Sequence, residues 1–204
     1  MRLPDSPLRR IAAAAAALAL LAAGSAMGQG SNRSKLYAGI GLAVADFEGV
    51  HGGIGYDATP PGLQLYGGYQ ARELLGLELA IDHLAGIEPG DLLGSGVERL
   101  RISAEHSSFT LRGVLSLSLQ EILRRRPNVK VLATVGAARS IEKRSVLELT
   151  TQRHESASER DTAVVLGAGV TFELERVHLR TFLQSADRRH GTLNSVGVAA
   201  ELRF

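Results

Sequence analysis

The chain has no cysteine, no tryptophan, 4% aromatic residues and 6 prolines among its 204 residues. Without cysteine there is no disulfide scaffold, no thiolate zinc site and no cysteine nucleophile. Long like-charge blocks and proline-rich tracts are also missing, which, with 45% hydrophobic residues, disfavours a disordered chain. Beyond residue 28 no apolar run approaches the ~18 residues a membrane-spanning helix needs. Only a closed barrel of strands is left as a way of crossing a bilayer.

Residues 1–28 carry their own pattern. Arg2, Arg9 and Arg10 precede 13 apolar residues, Ile11 to Ala23, and the small-residue stretch Gly24-Ser25-Ala26-Met27-Gly28 follows. That stretch is too short to span ~30 Å of hydrocarbon, and its flanks are those of a cleaved export signal. Cleavage near residues 26–28 leaves a mature domain, 29–204, with 20 Lys+Arg against 20 Asp+Glu. The formal net charge of +2 therefore belongs to the signal, and a nucleic-acid footprint is not supported.

The mature chain alternates with period two. Val196, Val198, Ala200, Leu202 and Phe204 share one face, while Ser195, Gly197, Ala199, Glu201 and Arg203 share the other. Leu75, Leu77, Leu79 and Ile81 alternate with Gly76, Glu78, Ala80 and Asp82 in the same way. Such alternation marks strands with one apolar and one polar face. It predicts eight of them: 35–47, 62–71, 74–87, 107–119, 129–141, 162–173, 177–186 and 193–204. Their lengths suit a tilted strand crossing a bilayer in ~9–11 residues. Short connections at 72–73, 121–128 and 174–176 alternate with long ones at 48–61, 88–106 and 142–161, followed by a shorter one at 187–192. The expected fold is all-β: an eight-stranded antiparallel up-and-down transmembrane barrel of the bacterial outer membrane. Its turns and termini would be periplasmic and its long loops extracellular.

The faces separate charge. Leu36, Ala38, Ile40, Leu42, Val44, Val131, Val135, Val164, Leu166, Leu179 and Leu183 share the face expected to meet lipid, which carries no charge before Asp46 and Arg139 at the strand ends. The opposite face collects Glu78, Asp82, Glu173 and Glu201 with Arg112, Lys130, Arg180 and Arg203. An eight-stranded barrel is just wide enough inside for side chains, so these groups are expected to pair as a structural lumen network. Glu78 and Arg112 are expected in contact, with Arg180 and Asp82 joining them. Tyr37, Tyr56, Tyr66, Tyr69, Phe109, Phe172, Phe182 and Phe204 supply a sparse aromatic girdle. A soluble periplasmic barrel of lipocalin type is the inverted alternative, with its apolar face turned inward.

Two stretches bring a family into view. Lys35-Leu36-Tyr37-Ala38-Gly39-Ile40-Gly41, then Leu65-Tyr66-Gly67-Gly68-Tyr69 and Leu75-Gly76-Leu77-Glu78-Leu79, resemble the opening of OmpA-like outer-membrane barrels. Asn194-Ser195-Val196-Gly197-Val198 through Phe204 resembles their closing strand. The resemblance implies that Val198, Ala200, Leu202 and Phe204 form the signal read by the barrel-assembly machinery. A counterpart of the peptidoglycan-binding domain of full-length OmpA proteins is not expected, so the resemblance does not imply wall attachment.

Other chemistry is thinly supported. His51, His83, His106, His154, His178 and His190 show no metal-ligand spacing, and five of them fall in loops or at loop edges in this segmentation. Serine–histidine pairs at a barrel rim would suit a lipid A-modifying enzyme; the candidates are His190 with Ser195, His106 with Ser107 or Ser108, and His154 with Ser156. The glycine pairs Gly39-x-Gly41, Gly53-x-Gly55, Gly94-x-Gly96 and Gly167-x-Gly169 complete no phosphate-binding motif. Arg124-Arg125-Arg126-Pro127 reads as a solvated turn, and 142–161 as a zwitterionic loop. The expected role is non-enzymatic, in envelope integrity or surface interaction through the long loops. No cofactor and no metal is expected; the partners are outer-membrane lipid, lipopolysaccharide and the assembly machinery. A lipid A-modifying enzyme, a small porin and the soluble carrier are the alternatives.

Overall fold

The computed structural model describes residues 35–51, 54–87, 91–93, 99–119, 128–148, 153–174, 177–189 and 191–204. The expected export signal, the Arg124–Arg126 run and His190 lie outside these residues. Ten strands are present: β1 (Leu36–His51), β2 (Ile54–Ala58), β3 (Pro61–Gln70), β4 (Leu75–Ile87), β5 (Asp91–Leu93), β6 (Arg99–Ser118), β7 (Asn128–Glu148), β8 (Arg153–Glu173), β9 (Val177–Arg188) and β10 (Gly191–Arg203). Eight of them, β1, β3, β4, β6, β7, β8, β9 and β10, pair antiparallel in chain order. β10 returns to β1, from Tyr37↔Arg203 to Phe47↔Leu193, and closes the sheet into a barrel. β2 and β5 are short additions that pair with β1 and β6 at one end.

The period-two sequence places apolar side chains outside. Leu42 is 66% exposed, and Val164, Leu183 and Val198 are each 60% exposed, while Glu78 and Glu201 are fully buried within. This is the reverse of a soluble carrier, whose apolar face would line a cavity. The outward apolar side chains form a belt whose described members are uncharged from Leu36 to Val44 on β1 and from Leu75 to Ile81 on β4. A charge at the centre of such a belt costs ~2–4 kcal/mol in a bilayer, which accounts for the pattern.

The strands are taller than the alternation suggests. The segments 48–61, 88–106 and 142–161, expected as loops, are largely strand. β6 pairs with β7 from Leu100↔Glu148 to Ser118↔Lys130, and β7 with β8 from Asn128↔Glu173 to Glu148↔Arg153. Above the belt the outer faces of these strands leave lipid for water and carry charge. The apolar contrast vanishes there although the hydrogen-bonded ladder continues. One irregularity interrupts β4, where the register with β6 shifts between Leu84 and Ile87. Gly86 sits there with a φ of 70°, the left-handed conformation that a bulge demands and glycine takes without penalty.

Candidate functional site

The lumen is filled in two layers. Toward the end with short turns lies a chain of ion pairs built on inward-facing positions of six strands. Glu78 stands opposite Arg112 in the β4–β6 register and accepts a hydrogen bond from its Nε at 2.5 Å. Arg180 of β9 donates from Nη1 to Glu78 at 2.6 Å and from Nη2 to Glu201 of β10 at 2.6 Å. Arg203 continues the chain, 3.2 Å from Glu201 through Nε and 3.5 Å from Glu173 through Nη1. Lys130 ends it, 2.6 Å from Glu173, with His178 Nδ1 at 3.8 Å from the same carboxylate. Seven of the eight expected lumen charges thus touch in sequence. Asp82 stands apart from that chain, accepting from Gln64 Nε2 at 2.6 Å and Ser108 Oγ at 3.2 Å.

Tyrosines complete this layer. Tyr37 donates to Glu78 at 3.1 Å and Tyr66 to Glu201 at 3.4 Å. The Arg180 guanidinium lies over both rings, 4.5 Å from the Tyr66 centroid and 5.5 Å from that of Tyr37. A delocalised cation over a π face gains further attraction once water is excluded. These two tyrosines, with Phe182, were grouped above with the girdle; all three face inward and are buried. Their parity already distinguishes them, since Tyr37 alternates with Leu36 and Ala38, Tyr66 with Leu65, and Phe182 with Leu183. The rings need room, and Gly39 and Gly68 give it. A Cβ on Gly39 would strike the Tyr66 ring, and one on Gly68 the Tyr37 ring. Tyr69, Phe109 and Phe172 are the girdle positions that face outward among the described residues.

The second layer, toward the tall end, is apolar. Ala45, Phe47, Leu84, Ala104, Ala138, Val146, Ala163, Val165, Ala186 and Leu193 are buried against one another. His106, placed above at a loop edge, is instead an inward residue of β6, 1% exposed. Its ring meets Phe47 edge-on at 5.7 Å, and the Arg188 guanidinium covers the other ring at 4.2 Å. His106 lies above the belt, its outward neighbours being Glu105 and Ser107. Burial, then the Arg188 charge, holds its pKa down at about 4.

Hydrolytic chemistry finds little support in the geometry. His106 faces the lumen while Ser107 faces out, as strand alternation requires. The serine–histidine contacts that form are different ones: His83 Nδ1 with Ser107 Oγ at 2.9 Å, and His154 Nε2 with Ser145 Oγ at 2.8 Å. Neither histidine bonds to an orienting carboxylate among the described residues, as a working base requires. Among those residues no group of three or more His, Asp or Glu side chains is placed to hold a metal ion.

The closing strand carries Val198, Ala200 and Leu202 on its outer face, and the Phe204 N–H donates to the Leu36 carbonyl at 2.9 Å. The last strand is thereby fastened to the first.

Comparison with known proteins agrees with this architecture. The attachment invasion locus protein Ail of Yersinia pestis superposes with a TM-score of 0.55 at 16% identity, covering 85% of this chain and all of Ail. Neisserial surface protein A, NspA, gives 0.55 at 12% identity over 85% of this chain and all of its own. The N-terminal barrel of Pseudomonas aeruginosa OprF gives 0.51 at 11% identity, covering 84% of this chain and all of that one. At such identities the likeness is one of fold. No curated protein sequence matches. Residues 13–193 match the outer membrane protein beta-barrel domain family, the greater part of the sequence. The chain therefore belongs to the outer membrane beta-barrel family.

Proposed function

We propose that this barrel acts without enzymatic chemistry at the cell surface, through the sheet that β6, β7 and β8 raise above the apolar belt. The observation that supports this reading is the length of the ladder. From Arg139 to Glu148, β7 rises about 30 Å along the strand, at ~3.3 Å per residue. In this reading the tall end faces outside the cell and the short turns face the periplasm. The outer sheet then offers Arg101, Glu105, Lys143, His154 and Arg160 as a mixed polar surface, suited to a polar partner. The lumen network is structural, and the closing strand serves assembly.

The test shortens the hairpin in register, replacing residues 145–156 by a two-residue turn. Cells displaying the full chain are compared with cells displaying the shortened one on immobilised matrix proteins and sulfated polysaccharides. Ail has been solved with the heparin analogue sucrose octasulfate, which makes the polysaccharides a fair member of that panel. Greater retention by the full chain on at least one surface, at equal outer-membrane abundance, is expected. Equal retention across the panel would overturn the reading.

A further inference from the structure

The outward charges at the upper rim of the belt are unevenly distributed. On β7, Arg139, Ile141 and Lys143 alternate on the outer face above Val135 and Ala137, and Arg160 of β8 stands directly across from Ile141. Arg139 and Lys143 are its diagonal neighbours, and diagonal pairs on an antiparallel sheet lie ~7–8 Å apart. All three cations are exposed and surround one exposed apolar residue, Ile141, 41% accessible. Among the described residues none of the three forms an ion pair or a side-chain hydrogen bond. Elsewhere on the rim the outward groups include Asp46 on β1, Ser185 and Asp187 on β9 and Asn194 on β10. The carboxylates bordering the patch are Glu105, across from Lys143, and Asp187, across from Val164.

Arg139 is the informative member. Across the β6–β7 ladder it faces Phe109, 50% exposed, and two residues below Thr162, its partner on β8, stands Val164, 60% exposed. A guanidinium at the edge of hydrocarbon is costly unless it extends toward the headgroups and meets an anion there. Three such cations clustered around one apolar residue match a headgroup bearing more than one phosphate better than they match a zwitterion.

We infer that the β7–β8 face binds the phosphorylated sugar headgroup of an outer-leaflet glycolipid of lipid A type, with Arg139, Lys143 and Arg160 on its phosphates. Acyl chains then lie along Val135, Ala137, Val164 and Leu166, directly below. Ser158 and Thr162, exposed on the same face of β8, add hydroxyl donors beside the cations. The site rests on the proposed sidedness, in which the tall end is outside.

The full chain, refolded in nonionic detergent, is incubated with bisphosphorylated lipid A, and retained lipid is read by native mass spectrometry. Wild type is expected to retain lipid A, and R139Q/K143Q/R160Q to bind at least about tenfold more weakly, since each near-surface cation contributes measurably to anionic-lipid binding. A variant neutralising Lys35 and Arg72, exposed cations at the opposite, short-turn end, should bind as wild type does, and dephosphorylated lipid A should bind wild type as poorly as lipid A binds the triple variant. The heat-dependent gel mobility of each variant establishes that it is folded. Equal retention by the triple variant, or phosphatidylglycerol competing as well as lipid A, would overturn the site. Protease cleavage of the 145–156 hairpin in intact cells separates the two readings. Cleavage with no lipid A preference refutes this site alone, whereas protection from protease refutes the sidedness beneath it.

Discussion

Replacing Glu78 by glutamine asks how much the lumen charges stabilise the barrel. The carboxylate is fully buried and accepts from Arg112 at 2.5 Å, Arg180 at 2.6 Å and Tyr37 at 3.1 Å. Glutamine keeps the shape and one acceptor oxygen but removes the charge that offsets two buried guanidiniums. Arg180 retains Glu201 as a partner, whereas Arg112 is left with the neutral Gln184 at 2.8 Å. Stranding one member of a buried ion pair costs about 3–5 kcal/mol, and the partner that Arg180 keeps places this substitution near about 3 kcal/mol. Removing the stranded cation as well should recover part of that loss. The double variant E78Q/R112M is therefore expected to be more stable than the sum of its singles predicts, by about 1–3 kcal/mol. Exchanging the charges, Glu78→Lys with Arg112→Glu, should recover less, because the new lysine would face Arg180. The assay is urea unfolding of the chain refolded into phospholipid vesicles, with the folded fraction read from the mobility of unboiled samples. A loss below about 1 kcal/mol for Glu78→Gln, or strict additivity in the cycle, would show that the pairing contributes little.

Further expectations follow from burial and facing. His106 titrates near 4 in the fold against 6.5 when free, under burial and Arg188, opposed by Glu142 and Asp161, with His83 adding to the depression. The unfolded chain therefore binds more protons between these values, so stability is full above about pH 6.5 and falls by about 3 kcal/mol as the pH drops to 4. His106→Phe should flatten that part of the thermal-unfolding profile between pH 7 and 4; an unchanged profile counts against a buried neutral ring. Leu77→Arg, at an outward position 56% exposed in the belt, should cost about 2–4 kcal/mol in vesicles, and a neutral result would mean that this face does not meet lipid. Phe204→Ala should refold in detergent as wild type does yet give a lower yield of folded barrel in outer membranes. Equal yields would remove this residue from the assembly signal.

The barrel strands were legible because a membrane imposes opposite solvents on their two faces. From Leu36 to Val44 and from Leu75 to Ile81, large apolar residues alternate with small or polar ones and so state the strand's facing, and the placing of Glu78 opposite Arg112 follows from parity and strand order. Three things were harder to read. Above Arg139 the outer face meets water in place of lipid and charges stand on both faces, so Glu142 and Arg144 point inward while Lys143 and Ser145 point outward without any polarity difference. The apolar lumen layer relies on alanines at 45, 104, 138, 163 and 186, which do not mark a face by themselves. The tyrosines were counted as aromatics, which fit a girdle, although their parity assigned them to the interior. Asp82 could not be separated from the ion-pair chain because the sequence gives a strand's facing but not the reach of a side chain toward Gln64 or Ser108.

The uninterrupted pairing of β7 with β8 restricts how this protein can change in length. All 21 positions from Asn128↔Glu173 to Glu148↔Arg153 advance in step, and each residue's direction is inherited from the one below. Adding or deleting a single residue near Arg139 would turn every later side chain to the opposite face, sending Lys143 inward and the Glu142 carboxylate outward. Additions in pairs, or changes at the tip where no later ladder position is affected, would preserve both surfaces. The outer sheet can thus be lengthened, trimmed or given a new tip in two-residue steps while the barrel beneath it stays unaltered.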